Sequence, residues 1–312
     1  MTTPDPQDIA DAAALLRAGR LVAFPTETVY GLGADATNAD AVLSIYETKG
    51  RPRFNPLIVH VPDLAAAEQL AHFSPLARKL AKTFWPGPLS LVLPLRPGHG
   101  LADITTAGLD SVALRVPDHP LALALLRATE RPLAAPSANP SGRLSPTRAE
   151  QVRRGFAGAV PVLDGGPCQA GVESTILTLD GENLVQLRAG ALSREAIERA
   201  MGLPVAQAAK GAAISAPGML LSHYAPNAGL RLDTKPRPGE AWLAFGPSVP
   251  FDGVTRNLSE SGDLHEAARN LFSMLHDLDA AGASIIAVAP IPETGLGEAI
   301  NDRLRRAAAP RD

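Results

Sequence analysis

Lys49, Arg51 and Arg53 place three cations within five residues, in the stretch Lys49-Gly50-Arg51-Pro52-Arg53-Phe54-Asn55-Pro56-Leu57. Just upstream, Phe24-Pro25-Thr26-Glu27-Thr28-Val29-Tyr30-Gly31-Leu32-Gly33 adds hydroxyls and two glycines. Cations neutralise an anion, hydroxyls hydrogen-bond it, and glycine lets the backbone come close to it. Such a set is equipped to hold a polyphosphate and a small polar substrate. A plainer reading is that three cations at a helix C-terminus complement the helix dipole. Lysine is scarce, five of 29 cationic side chains, and this favours Lys49 as a compact point charge kept for phosphate.

Further constellations lie downstream. Arg115 sits inside the apolar run of Ser111-Val112-Ala113-Leu114-Arg115-Val116-Pro117, where an unpaired charge is costly. It either pairs with an internal carboxylate or faces an anion, such as a substrate carboxylate gripped bidentately. Ala135-Pro136-Ser137-Ala138-Asn139-Pro140-Ser141-Gly142, followed by Ser145, is either an ordinary turn-rich loop or a polar contact surface. Asp164-Gly165-Gly166-Pro167-Cys168 precedes Gly171-Val172-Glu173-Ser174-Thr175-Ile176, where a strand starts with Glu-Ser-Thr. Arg188 ends the next strand-like run, from Leu184. His60 falls within a strand, where a lone histidine is more often a satisfied core residue than a ligand.

Several chemistries are excluded. Gly31-Leu32-Gly33-Ala34-Asp35-Ala36 fits G-x-G-x-x-A in form. It stands well past the strand end, with no acid at the dinucleotide spacing, so a nicotinamide or flavin site is not expected. No G-x-x-x-x-G-K-[ST] occurs, and any use of ATP would need another architecture. The seven histidines include no close ligand pair, so no protein-held metal site is expected. A net charge of −3 gives no global pull towards RNA or anionic membranes. Cys168 alone permits no internal disulfide. Met1 to Arg20 lacks a signal-peptide pattern, and no run approaches transmembrane length. A cytoplasmic protein is expected.

The elements that must position these residues are legible. Leu21 to Phe24 reads as a buried strand, ended by Pro25. Thr37 or Asn38 caps a helix with Val42, Ile45 and Tyr46 on one face and Gly50 past its end. Pro56 to Val61 is the next strand. Ser193 caps a helix from Arg194 to Met201, closed by Gly202. Residues 203–217 have little periodicity and read as linker. Beyond them, Leu230–Leu232, Ala241–Phe245 and Ala283–Ala289 read as strands. A helix from Asp263 to about Ala281 carries an apolar stripe, and another runs from Glu298 to Ala307. The expectation is an α/β layer over 1–202 with a core of its own, a linker over 203–228, and a smaller Rossmann-like α/β domain over 229–312.

Together the motifs resemble those of the YrdC-like threonylcarbamoyl-AMP synthases. The matching elements are Pro25–Gly33, Lys49–Leu57, Ser111–Arg115, Ser137–Asn139 and Gly171–Thr175, five in order over about 150 residues. Pro217-Gly218-Met219 and His223-Tyr224-Ala225-Pro226 look like the linker motif of the long, two-domain form, and Gly295–Arg306 looks like the end of its C-terminal domain. No role is carried onto Leu220 and Leu221, which depart from the pattern. The resemblance implies a twisted mixed sheet with a concave cationic cavity. It also implies a nucleotidyltransferase that condenses L-threonine, bicarbonate and ATP to threonylcarbamoyl-AMP and pyrophosphate, for N6-threonylcarbamoyladenosine in tRNA. Mg2+ would be bound through the ATP phosphates, with no protein-held metal.

The resemblance also implies site roles. Lys49 and Arg51 would act on the phosphates as the catalytic cations, with Arg188. Asn55, Ser111, Ser137 and Ser145 would hydrogen-bond the nucleotide, and Tyr224 would close over it. Thr28, His60, Arg115 and Ser174 would hold threonine or its carbamate, with Arg115 on the carboxylate. The product would pass to a tRNA threonylcarbamoyltransferase complex. Direct tRNA contact is not indicated by the net charge. Two other readings fit less well. A hydrogenase-maturation carbamoyl-transfer module shares the core fold but carries acylphosphatase and zinc-finger segments that this sequence does not show. A noncatalytic RNA binder should carry a long basic stripe, whereas the cations here form a local cluster.

Overall fold

The computed structural model describes residues 5–208, 223–247 and 250–310. The larger sheet contains β1 (Val22–Phe24), β2 (Gly31–Asp35), β3 (Ile58–His60), β4 (Leu89–Pro94), β5 (Ser111–Arg115), β6 (Leu133–Ala134), β7 (Thr175–Asp180), β8 (Asn183–Arg188) and β9 (Val205–Gln207). Their spatial order is β1-β2-β6-β3-β5-β4-β7-β8-β9, with parallel and antiparallel pairs mixed. The smaller sheet contains β10 (Gly229–Arg231), β11 (Ala241–Ala244), β12 (Thr255–Asn257) and β13 (Ile285–Val288), ordered β10-β13-β11-β12 and wholly parallel. The expected α/β class and the small Rossmann-like layer are both present.

Local chemistry explains the elements that aim the site. Asn38 caps the helix Ala39–Lys49 by accepting from the backbone amides of Asp40 and Ala41. Gly50 ends that helix in the left-handed region at φ 61°, where a side chain would be strained. Lys49 is therefore the last helical residue, and Arg51 begins the loop. Alternation within the strands then sorts the side chains. His60 pairs with Arg115, Ser90 with Ile176, and Ile176 with Arg188. These residues cross the middle of the sheet. Gly33 is required for a different reason: a Cβ there would lie 2.8 Å from the Phe24 ring.

Two differences from the sequence reading have physical causes. The stretch after 202 begins with β9, which pairs in parallel with β8; three residues are too short to show a strand period. Thr255–Asn257 forms the edge strand β12, whose polar side chains gave no apolar signal. The larger layer also contributes to the core of the C-terminal layer. Val29, Leu144 and Val172 of the larger layer pack in one cluster with Tyr224, Leu271, Phe272 and Ile300. Gly171, at φ +75°, sits so close that a Cβ would lie 2.4 Å from the Ala268 carbonyl oxygen. Pro217-Gly218-Met219, Leu220 and Leu221 lie outside the described residues. Among the described residues, no helix is long and apolar enough to cross a membrane.

Candidate active site

A cleft opens on one face of the larger sheet. Thr28, His60, Arg115 and Ser174 line it, as do Arg51, Ser137, Arg188 and Tyr224. Eight of the twelve sequence-predicted site residues thus share one cavity. Lys49, Asn55 and Ser145 stand just behind its wall. Lys49 Nζ donates to the Ser137 carbonyl at 2.6 Å and to the Asn139 carbonyl. The Asn55 carbonyl accepts from Arg51 Nε at 3.3 Å, while neither atom of the buried Asn55 amide group has a hydrogen-bond partner. Ser145 donates to Glu173 Oε1 at 2.6 Å, and Glu173 lines the cleft.

Ser111 is placed elsewhere. It begins β5 whereas Arg115 ends it, and it pairs with Pro94 in a groove shared with His72 and Thr178. Four strand residues at about 3.3 Å each put it roughly 13 Å from Arg115. An S-x-A-x-R spacing keeps both residues on one face but cannot bring them to one ligand atom.

The cations differ in what they touch. Arg115 Nη2 is 2.6 Å from Glu27 Oε1, a buried ion pair, and Arg115 still borders the cavity. An internal carboxylate thus pairs with this arginine at the border of the cleft. The hydrogen bonds of Lys49 and Arg51 go only to backbone carbonyls, of Ser137, Asn139, Asn55 and Pro56, among the described residues. Arg188 donates twice to the Ser174 carbonyl, at 3.1 and 2.8 Å, and to its hydroxyl at 3.1 Å.

Burial sets the protonation of this cluster. It pulls Lys49 well below the ordinary lysine value, and Arg51 adds to the effect. Burial also brings Arg51 and Arg188 down to about 10. His60 falls to about 3 through burial and the nearby Arg115, and His223 falls to about 3 chiefly through burial. Both imidazoles are neutral near pH 7. Glu173 goes the other way from what burial alone would do. Arg303, Arg188 and the Ser145 hydroxyl outweigh its desolvation and hold it at about 2.

The sequence reading gave no role to Glu27, Glu173, His223 or Arg303. Arg303 lies in the helix Gly297–Ala308 at the position between Ile300, Leu304 and Ala307 on the apolar stripe. A cation on that stripe was the available signal. His223 and Tyr224 stack at 4.1 Å between ring centroids, and Tyr224 packs on Phe272 at 5.6 Å. The described end of the linker is thus wedged between the cavity and the C-terminal layer. Glycine matters once more: a Cβ on Gly190 would lie 2.4 Å from the Glu173 carbonyl oxygen.

The Sua5_yciO_yrdC family, described as "Telomere recombination", matches residues 14–190, and the "Threonylcarbamoyl-AMP synthase, C-terminal domain" family matches residues 192–309. The chain belongs to the YrdC-like threonylcarbamoyl-AMP synthases. Members are adenylyl-transferring enzymes, and this synthase has the long, two-domain form. The threonylcarbamoyl-AMP synthase of Bacillus subtilis is 43% identical over 334 residues, covering 100% of this chain and 95% of that protein. The Pyrococcus abyssi enzyme of the same name is 43% identical over 317 residues, covering 95% and 93%. The crystal structure of P. abyssi Sua5 complexed with L-threonine superposes with a TM-score of 0.90 at 40% identity, covering 97% of this synthase and 95% of that chain.

The Glu173–Arg303 pair makes the synthase acid-sensitive in a defined window. A carboxylate depressed in the folded state stabilises fully above its unfolded value and loses that contribution as pH falls towards the folded value. A drop from 4.5 to about 2 corresponds to about 3 kcal/mol. Urea unfolding should therefore lose about 3 kcal/mol more in wild type than in Glu173→Gln between about pH 5 and pH 2. His60 and His223, depressed as well, add losses below about pH 6.5 that both chains share. Parallel pH profiles for the two chains would remove Glu173 from this account.

Proposed function

We propose that this synthase condenses L-threonine, bicarbonate and ATP to L-threonylcarbamoyladenylate and pyrophosphate, as the first step towards N6-threonylcarbamoyladenosine in tRNA. The observation that carries this reading is the buried cationic wall. Lys49 and Arg51 are 4% and 8% exposed, beside Arg188, and Lys49 and Arg51 bond only neutral oxygens among the described residues. Buried charge without an opposing charge is costly, and a polyphosphate bound in the cleft supplies that opposing charge. The threonine-bound state of the P. abyssi relative supports threonine as the second ligand.

In this reading the threonine amine adds to bicarbonate with loss of water, giving a carbamate. A carbamate oxygen then forms a bond to the α-phosphorus of ATP as the bond to the pyrophosphate oxygen breaks. Lys49, Arg51 and Arg188 hold the phosphates and the charge that develops on them. Arg115, oriented by Glu27, takes the threonine carboxylate, and the Thr28 and Ser174 hydroxyls and neutral His60 hold the rest of the amino acid. Asn55, Ser137 and Ser145 serve the nucleotide side. Tyr224 covers the cleft, and exclusion of water protects the carbamate.

Glu173 at the cavity pairs with Arg303, and Glu27 beside it pairs through one oxygen with Arg115. No group of three or more potential metal ligands occurs among the described residues. Mg2+ would enter as a companion of the ATP phosphates, where it would neutralise the leaving pyrophosphate. The product passes to a tRNA threonylcarbamoyltransferase complex in the cytoplasm.

The test is pyrophosphate release. It should require ATP, threonine, bicarbonate and magnesium together, with an AMP-containing product by mass spectrometry. ADP and phosphate as products would mean attack at the γ-phosphorus and would defeat the proposal. Arg115→Lys keeps the charge and loses the fork. A loss of about 2–3 kcal/mol should raise the threonine requirement about 30–150-fold, with a much smaller change for ATP. An equal change for both substrates would take Arg115 off the threonine carboxylate.

A further inference from the structure

Arg303 belongs to the C-terminal layer, yet it is fully buried, and it reaches the cleft of the other layer through two neighbours. Its Nε donates to Glu173 Oε2 at 2.9 Å, and its Nη1 donates to Asp302 Oδ2 at 2.7 Å. Its guanidinium carbon lies 5.3 Å from the centre of the Tyr224 ring, within cation–π range. One side chain therefore holds both a carboxylate and an aromatic ring that line the cavity.

The carboxylate raises an electrostatic problem. Glu173 borders the same cleft as Arg51 and Arg188 and is ionised near pH 7. An unneutralised carboxylate there would repel a phosphate or capture a guanidinium meant for it. Ser145 satisfies one oxygen of Glu173 without changing its charge, whereas Arg303 satisfies the other and cancels it.

We propose that Arg303 is a positioning residue that neutralises Glu173 and seats Tyr224, so that anion binding in the catalytic cleft depends on the docked C-terminal layer. This rests on the reading of the cleft as a nucleotide site. Arg303 acts through its two neighbours, not on the substrate. The C-terminal layer then does more than support the linker: it supplies the charge that makes the cleft receptive to phosphate.

The experiment is calorimetric binding of inorganic pyrophosphate to the full chain, with thermal midpoints measured alongside. Arg303→Met should weaken binding about 10- to 100-fold. Adding Glu173→Gln to it restores the net charge of the cleft and should recover at least about ten-fold, although both variants melt earlier than wild type. An arginine that served packing alone would leave the double variant no better than the single one, and that result overturns the proposal. So does an Arg303→Met chain that binds like wild type. Should Arg303→Met fail to fold by circular dichroism, Arg303→Lys carries the same comparison. It should lose about three-fold or more, with recovery on adding Glu173→Gln, and absence of recovery overturns the proposal. A wild-type chain that binds no pyrophosphate brings down the nucleotide reading itself, and the proposal with it.

Discussion

The architecture depends on one constraint: cations of like sign are buried together under one face of a sheet. Lys49, Arg51, Arg115 and Arg188 are each less than a tenth exposed, and Glu27 and Glu173 are the carboxylates that line or edge their cavity. Desolvation opposes charge on each of Lys49, Arg51 and Arg188. Such a cluster persists only because the surrounding fold over-determines it. The capped helix Ala39–Lys49, the Gly50 turn, the central strand rows and Gly190 packed on the Glu173 backbone fix the cations where mutual repulsion would spread them. Low dielectric then makes each cation worth more to an arriving anion than it would be in water.

The same constraint explains how the two layers are joined. Glu173 is needed to hold Ser145 and Arg303, but its charge is tolerable only when Arg303 is seated. Arg303 comes from the last helix of the chain, and Tyr224 comes from the end of the linker. Val29, Leu144 and Val172 complete the C-terminal core from the opposite side. The interface is therefore part of both the hydrophobic core and the electrostatics of the cleft. Mobile, loosely tethered domains would give neither.

Much of this was legible in the sequence. Helix ends followed cap chemistry: Asn38, Ser193 and Asp263 each accept from first-turn amides. Eight predicted site residues meet in one cavity because their motifs sit on adjacent strands and on the loops around them. What stayed hidden depends on long-range pairing. Glu27 and Glu173 were in view inside their motifs, but their partners lie 88 and 130 residues away. Ser111 lies outside that cavity. Its spacing to Arg115 fixes a face, whereas distance along the strand decides which ligand it can reach. Strand β9 was missed for brevity, and an apolar stripe does not say which layer covers it.

The central claim is that buried cations with neutral partners form an anion site. The most direct measurement is calorimetric titration of inorganic pyrophosphate, for wild type and Lys49→Met. Burial holds the Lys49 pKa well below its ordinary value in the ligand-free cleft, and a bound anion raises it again. The account predicts that wild type binds at least about ten-fold more tightly than Lys49→Met. Equal affinity in the two chains would contradict it.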